Sequence, residues 1–154
     1  MIEIERKFLV KEELWNELIK PVPLYLKQAF VAQQDMTVVR IREYTDSAKL
    51  TIKGKTTGIS KLEFEYAIPL ADAQVLINEL GGPVIEKDRF HIQYKDQLWE
   101  VDVFYGDNEG LIVAEAELDS EDQLLELPNW IKEEVSYDPR YFNSNLQSHP
   151  FKSW

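Results

Sequence analysis

The sequence predicts an α+β fold, mainly β, in which eight antiparallel strands close into a barrel and helices pack on its outside. Three features of the 154-residue chain carry that expectation. Charged and apolar residues alternate with period two through most of it, as they do on strands, where successive side chains point to opposite faces. Short turn sequences join these runs, which favours antiparallel hairpins. Closing such a sheet removes its exposed edges and sorts the two sets of side chains into an inner and an outer layer. With no linker, low-complexity stretch or internal repeat, residues 1–154 read as a single domain, long enough to bury a sizeable core.

The first strand is expected at 2–9, where Glu3, Glu5 and Lys7 alternate with Ile2, Ile4 and, further on, Phe8. A helix fits 11–19. Strands at 24–33 and 36–45 flank a turn at Asp35, and Asp46-Ser47 turns the chain into a strand at 48–54. A strand at 61–69 is followed by a helix at 71–80 that stops at Gly81-Gly82-Pro83. Strands at 84–94 and 97–106 meet at Lys95-Asp96, and the turn Gly106-Asp107-Asn108-Glu109-Gly110 leads to a last strand at 111–118. Ser120-x-x-Gln123 has the form of a capping box, predicting a helix at 120–127 that ends before Pro128, and a short helix is expected after Pro139.

Composition narrows the function. The absence of cysteine rules out disulfide staples and thiolate metal sites. The acidic N-terminus lacks the pattern of a signal peptide, and no apolar run approaches the roughly 20 residues that span a bilayer, so a soluble cytoplasmic protein is expected. A net charge of −11 repels nucleic acid and anionic membranes unless basic residues are gathered locally, so neither is expected as a partner. A small anion at a local basic cluster, or a hard divalent cation among carboxylates, fits better.

The apolar set is too continuous to face water and needs helices, or the mate of a homodimer, packed against it; the homodimer is the preferred expectation. The opposite set then lines the barrel. It holds the cations Lys7, Arg40, Arg42, Lys53, Lys61, Lys87 and Arg89 and the carboxylates Glu3, Glu5, Glu63, Glu65, Glu100, Asp102, Glu115 and Glu117. Several strands carry one sign only, which leaves like charges about 7 Å apart along the strand. A sheet built for stability alone would interleave the signs. The clustering therefore points to a ligand that brings the missing charge: arginine beside lysine suits phosphate oxygens, and carboxylate pairs suit magnesium or manganese in contact with that phosphate.

Glu3-x-Glu5-x-Lys7 at the N-terminus resembles the Glu-x-Glu-x-Lys signature of the CYTH family, the triphosphate tunnel metalloenzymes. The resemblance extends through nearly the whole chain: Arg40-Ile-Arg42, Thr51-Ile-Lys53, Lys61-Leu-Glu63-Phe-Glu65, Lys87-Asp-Arg89, Glu100-Val-Asp102 and Glu115-Ala-Glu117 follow in the family's order. Gln28 and the tail from Trp130 to Arg140-Tyr141 are similar as well, whereas Lys61 stands where arginine is commoner. The resemblance implies an eight-stranded tunnel that binds a triphosphate with Mg2+ or Mn2+. It implies substrate binding by Lys7, Arg40, Arg42, Lys53, Lys87 and Arg89, and metal ligation by Glu3, Glu5, Glu63, Glu65, Asp102, Glu115 and Glu117. Lys7, Glu63 and Glu65 are the implied catalytic groups, with Glu63 and Glu65 near a second metal or the attacking water. Inorganic triphosphate hydrolysis is the first expectation, with related activity on nucleoside or thiamine triphosphates. A cyclase of the class IV adenylate type and a non-catalytic polyphosphate-binding module are the alternatives.

Competing motifs fail on their own terms. Gly54-Lys55-Thr56 echoes the end of a P-loop, but Lys49 stands where its first glycine belongs. Two histidines, His91 and His149, are too few for a zinc site or a hydrolytic triad, and His91 is expected to be structural. The tryptophans and tyrosines are expected to pack the outer core, and Phe104, on the inward parity, to pack the tunnel wall.

Overall fold

A computed structural model describes residues 1–154. Its strands are β1 (Ile2–Val10), β2 (Leu24–Gln34), β3 (Thr37–Glu43), β4 (Ala48–Thr57), β5 (Ser60–Ile68), β6 (Ile85–Tyr94), β7 (Gln97–Phe104), β8 (Ile112–Glu117) and β9 (Ile131–Glu134). The helices are α1 (Glu12–Glu17), α2 (Leu70–Leu80) and α3 (Asn143–Ser148). The strands hydrogen-bond in the order β5-β4-β3-β2-β6-β7-β8-β1, and β1 pairs back onto β5, so eight antiparallel strands form a closed ring.

β1 is the seam of that ring. Residues 5–9 pair with β8 along one edge, while Ile2, Glu3 and Ile4 meet β5 along the other. β9, which alternation did not foretell, takes the free end of that second edge, opposite Phe8 and Val10. Its four residues are too few to show a period. They form a strand because the end of β1 presents unpaired backbone groups that need partners.

The expected helix at 120–127 does not form. The capping signal is spent on one turn, in which the Gln123 backbone N–H donates to the Ser120 carbonyl (3.2 Å) and its side chain accepts from the Asp119 N–H (2.7 Å). The chain then runs extended from the level of Glu5, where β8 ends, toward Val10, where β9 begins. On the way Leu125 packs against the outer core and Trp130 is seated 6.0 Å from Trp15 and 5.7 Å from Trp99, ring to ring. Tertiary burial of an indole outweighs a local capping preference. α1 is also shorter than expected, because the Lys20 ammonium bonds the carbonyls of Trp15 (2.8 Å) and Leu18 (3.1 Å) and ends it.

Two cores lie outside the ring. α1 and the 123–131 strap cover β1, β7 and β8 through Trp15, Trp99, Trp130 and their neighbours, and α2 covers β2, β3 and β4 by setting Ala73 and Ile77 on Ala29, Ile41 and Ala48. A third core lies inside. Phe30, Ile85, Phe104 and Val113 share the inward parity of the charged residues, and Val135, Tyr141 and Leu146 of the tail pack onto them. The inner face is thus polar along most of its length and apolar at one end, where α3 and the adjoining tail plug the ring.

One sector of the outer wall has no cover. Ile2 faces Leu62 across β1–β5, and Ile52 faces Phe64 across β4–β5. Ile2 is 65% exposed and Phe64 45%.

Candidate active site

The ring encloses a cavity of about 1180 Å³ lined by Arg40 and Arg42 of β3, the acidic ends of β1, β5 and β8, and tail residues including Tyr137, Phe142 and Asn143. Strand parity puts these charges inside, and the plug closes one end behind them.

β3 forms a positive wall. Arg40 is 4% exposed and Arg42 6%. The Arg40 guanidinium donates to Thr51 Oγ1 (3.0 Å) and stands 3.7 Å from Glu65. Arg42 Nε donates to Gln28 Oε1 (3.1 Å), and no carboxylate lies within ion-pair distance of it. Burial, with the neighbouring Arg42 charge, pulls the Arg40 pKa down to about 10. Two buried guanidiniums side by side, one held by a neutral amide and the other by a hydroxyl and a single carboxylate at 3.7 Å, leave surplus positive charge facing a cavity, the condition that favours a polyanion.

The opposite pole is acidic. Lys61 bridges Glu3 (2.9 Å) and Glu5 (2.5 Å), while Lys53 contacts Glu3 (3.1 Å) and Glu63. Glu65 is shared by Lys49 (2.6 Å) and the Thr51 hydroxyl (3.2 Å). Glu117 makes no ion pair, and burial together with the charges of Glu3, Glu100, Glu63 and Glu5 pushes its carboxyl up. Hard oxygen donors with surplus negative charge suit a hard divalent cation. No three acidic or histidine side chains are already gathered at metal-holding distance. The donor types fit such an ion, and gathering them around one requires Lys53 and Lys61 to release Glu3, Glu5 and Glu63.

A third cluster is spent internally. Arg89 bonds both oxygens of Asp102 (2.7 Å each), Glu115 (3.1 Å) and Glu100. Lys7 pairs with Glu115 (2.7 Å) and stands 4.0 Å from Glu5. Burial opposes ionisation of Glu115, but Lys7 and Arg89 outweigh it and hold the carboxyl well below its usual range. Lys87 pairs with Asp102, lies 5.2 Å from the Phe104 ring, and reaches Asn143 Oδ1 at 3.5 Å.

The sequence-derived residues therefore divide. Glu3, Glu5, Lys7, Arg40, Arg42, Lys53, Glu63, Glu65, Arg89, Glu115 and Glu117 line one cavity. Lys87 and Asp102 do not: both are fully buried behind the lining. Asp102, expected as a metal ligand, has its oxygens taken by Lys87 and Arg89, and Lys87, expected on substrate, supports the wall from behind. Burial depth, which strand parity does not encode, separates them from the rest. His91 sits at the mouth, 3.2 Å from Glu100, and His149 lies in the tail against Ser148. Sequence reasoning gave no role to Gln28 or Thr51, although Thr51 shares the parity of Lys53, and it did not foresee the tail's part in the lining.

Comparison with known proteins agrees with this geometry. Residues 1–143 match the CYTH domain. The chain is 45% identical over 153 residues to an inorganic triphosphatase of Acetivibrio thermocellus, spanning 99% of this chain and 97% of that protein. It is 37% identical over 150 residues to an inorganic triphosphatase of Nitrosomonas europaea, spanning 95% and 97%. A crystal structure of an inorganic triphosphatase superposes with a TM-score of 0.66 at 32% identity, over 94% of this chain and 93% of the other.

Proposed function

The chain belongs to the CYTH domain family, and from that premise we propose that it is a metal-dependent hydrolase that cleaves inorganic triphosphate to pyrophosphate and phosphate. The observation that carries the reading is the pairing, in one cavity, of a buried arginine with no carboxylate partner, Arg42, beside Arg40 with only a 3.7 Å contact to Glu65, and a carboxylate without a cation, Glu117. A triphosphate brings negative charge to the first, and a divalent cation brings positive charge to the second.

Arg40 and Arg42 hold phosphate oxygens, joined by Lys53 and Lys7 once these exchange carboxylate for phosphate. Phosphoryl transfer asks the protein mainly for positioning and for stabilisation of charge on the equatorial oxygens, which fixed guanidiniums supply. Glu3, Glu5 and Glu117 are the ligands we assign to Mg2+ or Mn2+, which when bound screens the phosphate charge and orients the chain of phosphates. Glu63 and Glu65 orient the water that attacks the terminal phosphorus in line and accept its proton as the bridging oxygen leaves with pyrophosphate. Lys7 stays protonated, because Glu115 and Glu5 outweigh the cost of its burial, and donates to the charge that develops.

The remaining parts of the reading follow from the surface. No helix is long and apolar enough to cross a membrane. We assign the protein to the cytoplasm as one domain, with a second copy covering the bare β4–β5–β1 sector.

The test is phosphate release from inorganic triphosphate, ATP and thiamine triphosphate with Mg2+, Mn2+ or chelator, with the ATP reactions also assayed for cyclic AMP. Fast metal-dependent release from inorganic triphosphate is the expected result. Cyclic AMP with little phosphate would instead identify a cyclase, and tight binding without turnover a binding module.

A further inference from the structure

The three arginines of the tunnel are held in different ways. Arg89 is surrounded by Asp102, Glu115 and Glu100, so its charge is cancelled locally. Arg42 is held by a neutral amide. Gln28 lies directly across from it on β2, is fully buried, and accepts the Arg42 Nε–H on Oε1 at 3.1 Å. Arg40 is intermediate, bonded to the Thr51 hydroxyl with Glu65 3.7 Å away.

An amide is a poor choice for stability here. The Nε2 group of Gln28 is buried with no hydrogen-bond partner. A glutamate of the same shape would leave no orphaned donor and would turn the neutral hydrogen bond to Arg42 into a stronger, charge-assisted one. It would also cancel the Arg42 charge, as Asp102 does for Arg89. Gln28 is not at the cavity surface, so it meets no ligand itself; Arg42, in front of it, does.

We propose that Gln28 is a positioning residue for triphosphate recognition: its side-chain carbonyl fixes the direction of the Arg42 guanidinium while leaving that cation's charge for the substrate. The orphaned amide is the cost of keeping the holder neutral. This inference rests on the reading of the tunnel as a triphosphate site, and it adds a residue that touches neither substrate nor metal. Arg42 then contributes a directed, uncancelled charge, whereas Arg89 serves mainly to tie β6, β7 and β8 together.

The test compares wild type with Gln28→Glu and Gln28→Met by calorimetric binding of inorganic triphosphate in chelator, by KM and kcat with Mg2+, and by thermal unfolding without ligand. Gln28→Glu is expected to weaken triphosphate binding and raise KM at least tenfold while its melting temperature stays equal to wild type or rises. Gln28→Met, which removes the bond without adding charge, is expected to raise KM about threefold to tenfold with kcat little changed. In an Arg42→Ala background neither substitution changes binding further. A residue that only stabilised the fold would lose binding in step with melting temperature, and that result in Gln28→Met overturns the proposal. So does wild-type KM in Gln28→Glu. If Gln28→Glu does not fold, Gln28→Met and the Arg42→Ala cycle decide the matter in the same way. Absence of triphosphate binding by wild type would overturn the site assignment itself, a separate outcome.

Discussion

Lys87 and Asp102 form an ion pair in which neither side chain touches solvent, and Arg89 closes it from the cavity side by bonding both Asp102 oxygens. The triad joins β6 to β7 behind the tunnel wall and sets the position of Arg89. Such a buried pair is weak evidence of net stabilisation, because removing two charges from water is costly. Removing one member is a different matter, since the other is left buried and alone.

Asp102→Asn should therefore cost about 3–5 kcal/mol, which for a chain of this size corresponds to a fall in melting temperature on the order of 10 °C. Denaturant unfolding and calorimetry measure it. An unchanged melting temperature would show that Glu115 and Glu100 alone compensate Arg89.

Burial, despite Asp102, pulls the Lys87 pKa down to about 7 from an ordinary 10.5, with Arg89 and Arg42 adding to the fall. Between those values the unfolded chain holds a proton that the folded chain has lost, so this group makes stability rise with pH from about 7 toward 10. Below pH 7 both states are protonated and the penalty of burying the ammonium is fully present. Wild type should thus gain on Lys87→Met between pH 7 and 9.5, as read by unfolding at each pH; parallel curves would place the lysine pKa outside that window. Triphosphate binding should also take up a proton in this range, visible as a dependence of the binding enthalpy on buffer.

Arg40 and Arg89 should fail in opposite ways. Arg40 has little to lose in the empty tunnel beyond a bond to Thr51 and a 3.7 Å contact with Glu65, which Lys49 also holds, and its removal relieves repulsion with Arg42. Arg40→Ala should weaken triphosphate by about 1.5–3 kcal/mol, the worth of a charge-assisted bond, with melting temperature held or raised. Arg89→Ala should lower the melting temperature as Asp102→Asn does. A collapsed fold in Arg40→Ala with unchanged affinity would make Arg40 the structural residue instead.

The ring and its polar lining were legible in the sequence because strand parity is a local property: Glu3, Glu5 and Lys7 share a face whatever the rest of the chain does. Depth was not. Lys87 and Arg89 have the same parity, yet one lies behind the wall and the other on it, because the inner face turns apolar at Ile85 and Phe104 and the tail seals that end. The strap at 120–130 was misread for a related reason: its conformation is set by where Trp130 is buried. Gln28 was legible only as part of the family resemblance and not as to its role, since a glutamine between Leu26 and Phe30 has meaning only beside Arg42.

Glu117 carries a conflict between stability and function. Burial and four neighbouring carboxylates push its carboxyl up, so ionising it opposes folding, and the loss of stability grows as pH rises through its shifted value. Glu117→Gln should raise the melting temperature in chelator. The same substitution should weaken Mn2+ binding, followed by calorimetry without substrate, by about tenfold or more, as loss of a directly bound carboxylate does. A variant that binds Mn2+ like wild type would remove Glu117 from the ligand set.

The uncovered sector of the ring makes a final prediction. Ile2, Ile52, Leu62, Phe64 and Tyr66 are between 36% and 65% exposed on the outer face of adjoining strands, while every neighbouring sector is roofed by α1, α2 or the strap. With aromatic side chains offering about 150–250 Å² each, the patch is on the order of 400–500 Å², near the upper end of what a monomer leaves bare. That is roughly half of the ~800 Å² per partner of a standard interface. A two-fold pairing of this face with itself supplies the rest from its polar rim and needs no second surface. Sedimentation should show a dimer in wild type and a monomer in Phe64→Glu, with triphosphate turnover retained in both, because the charges that bind substrate lie on the opposite face of the same strands. A wild-type monomer at 100-fold the assay concentration would sink the pairing.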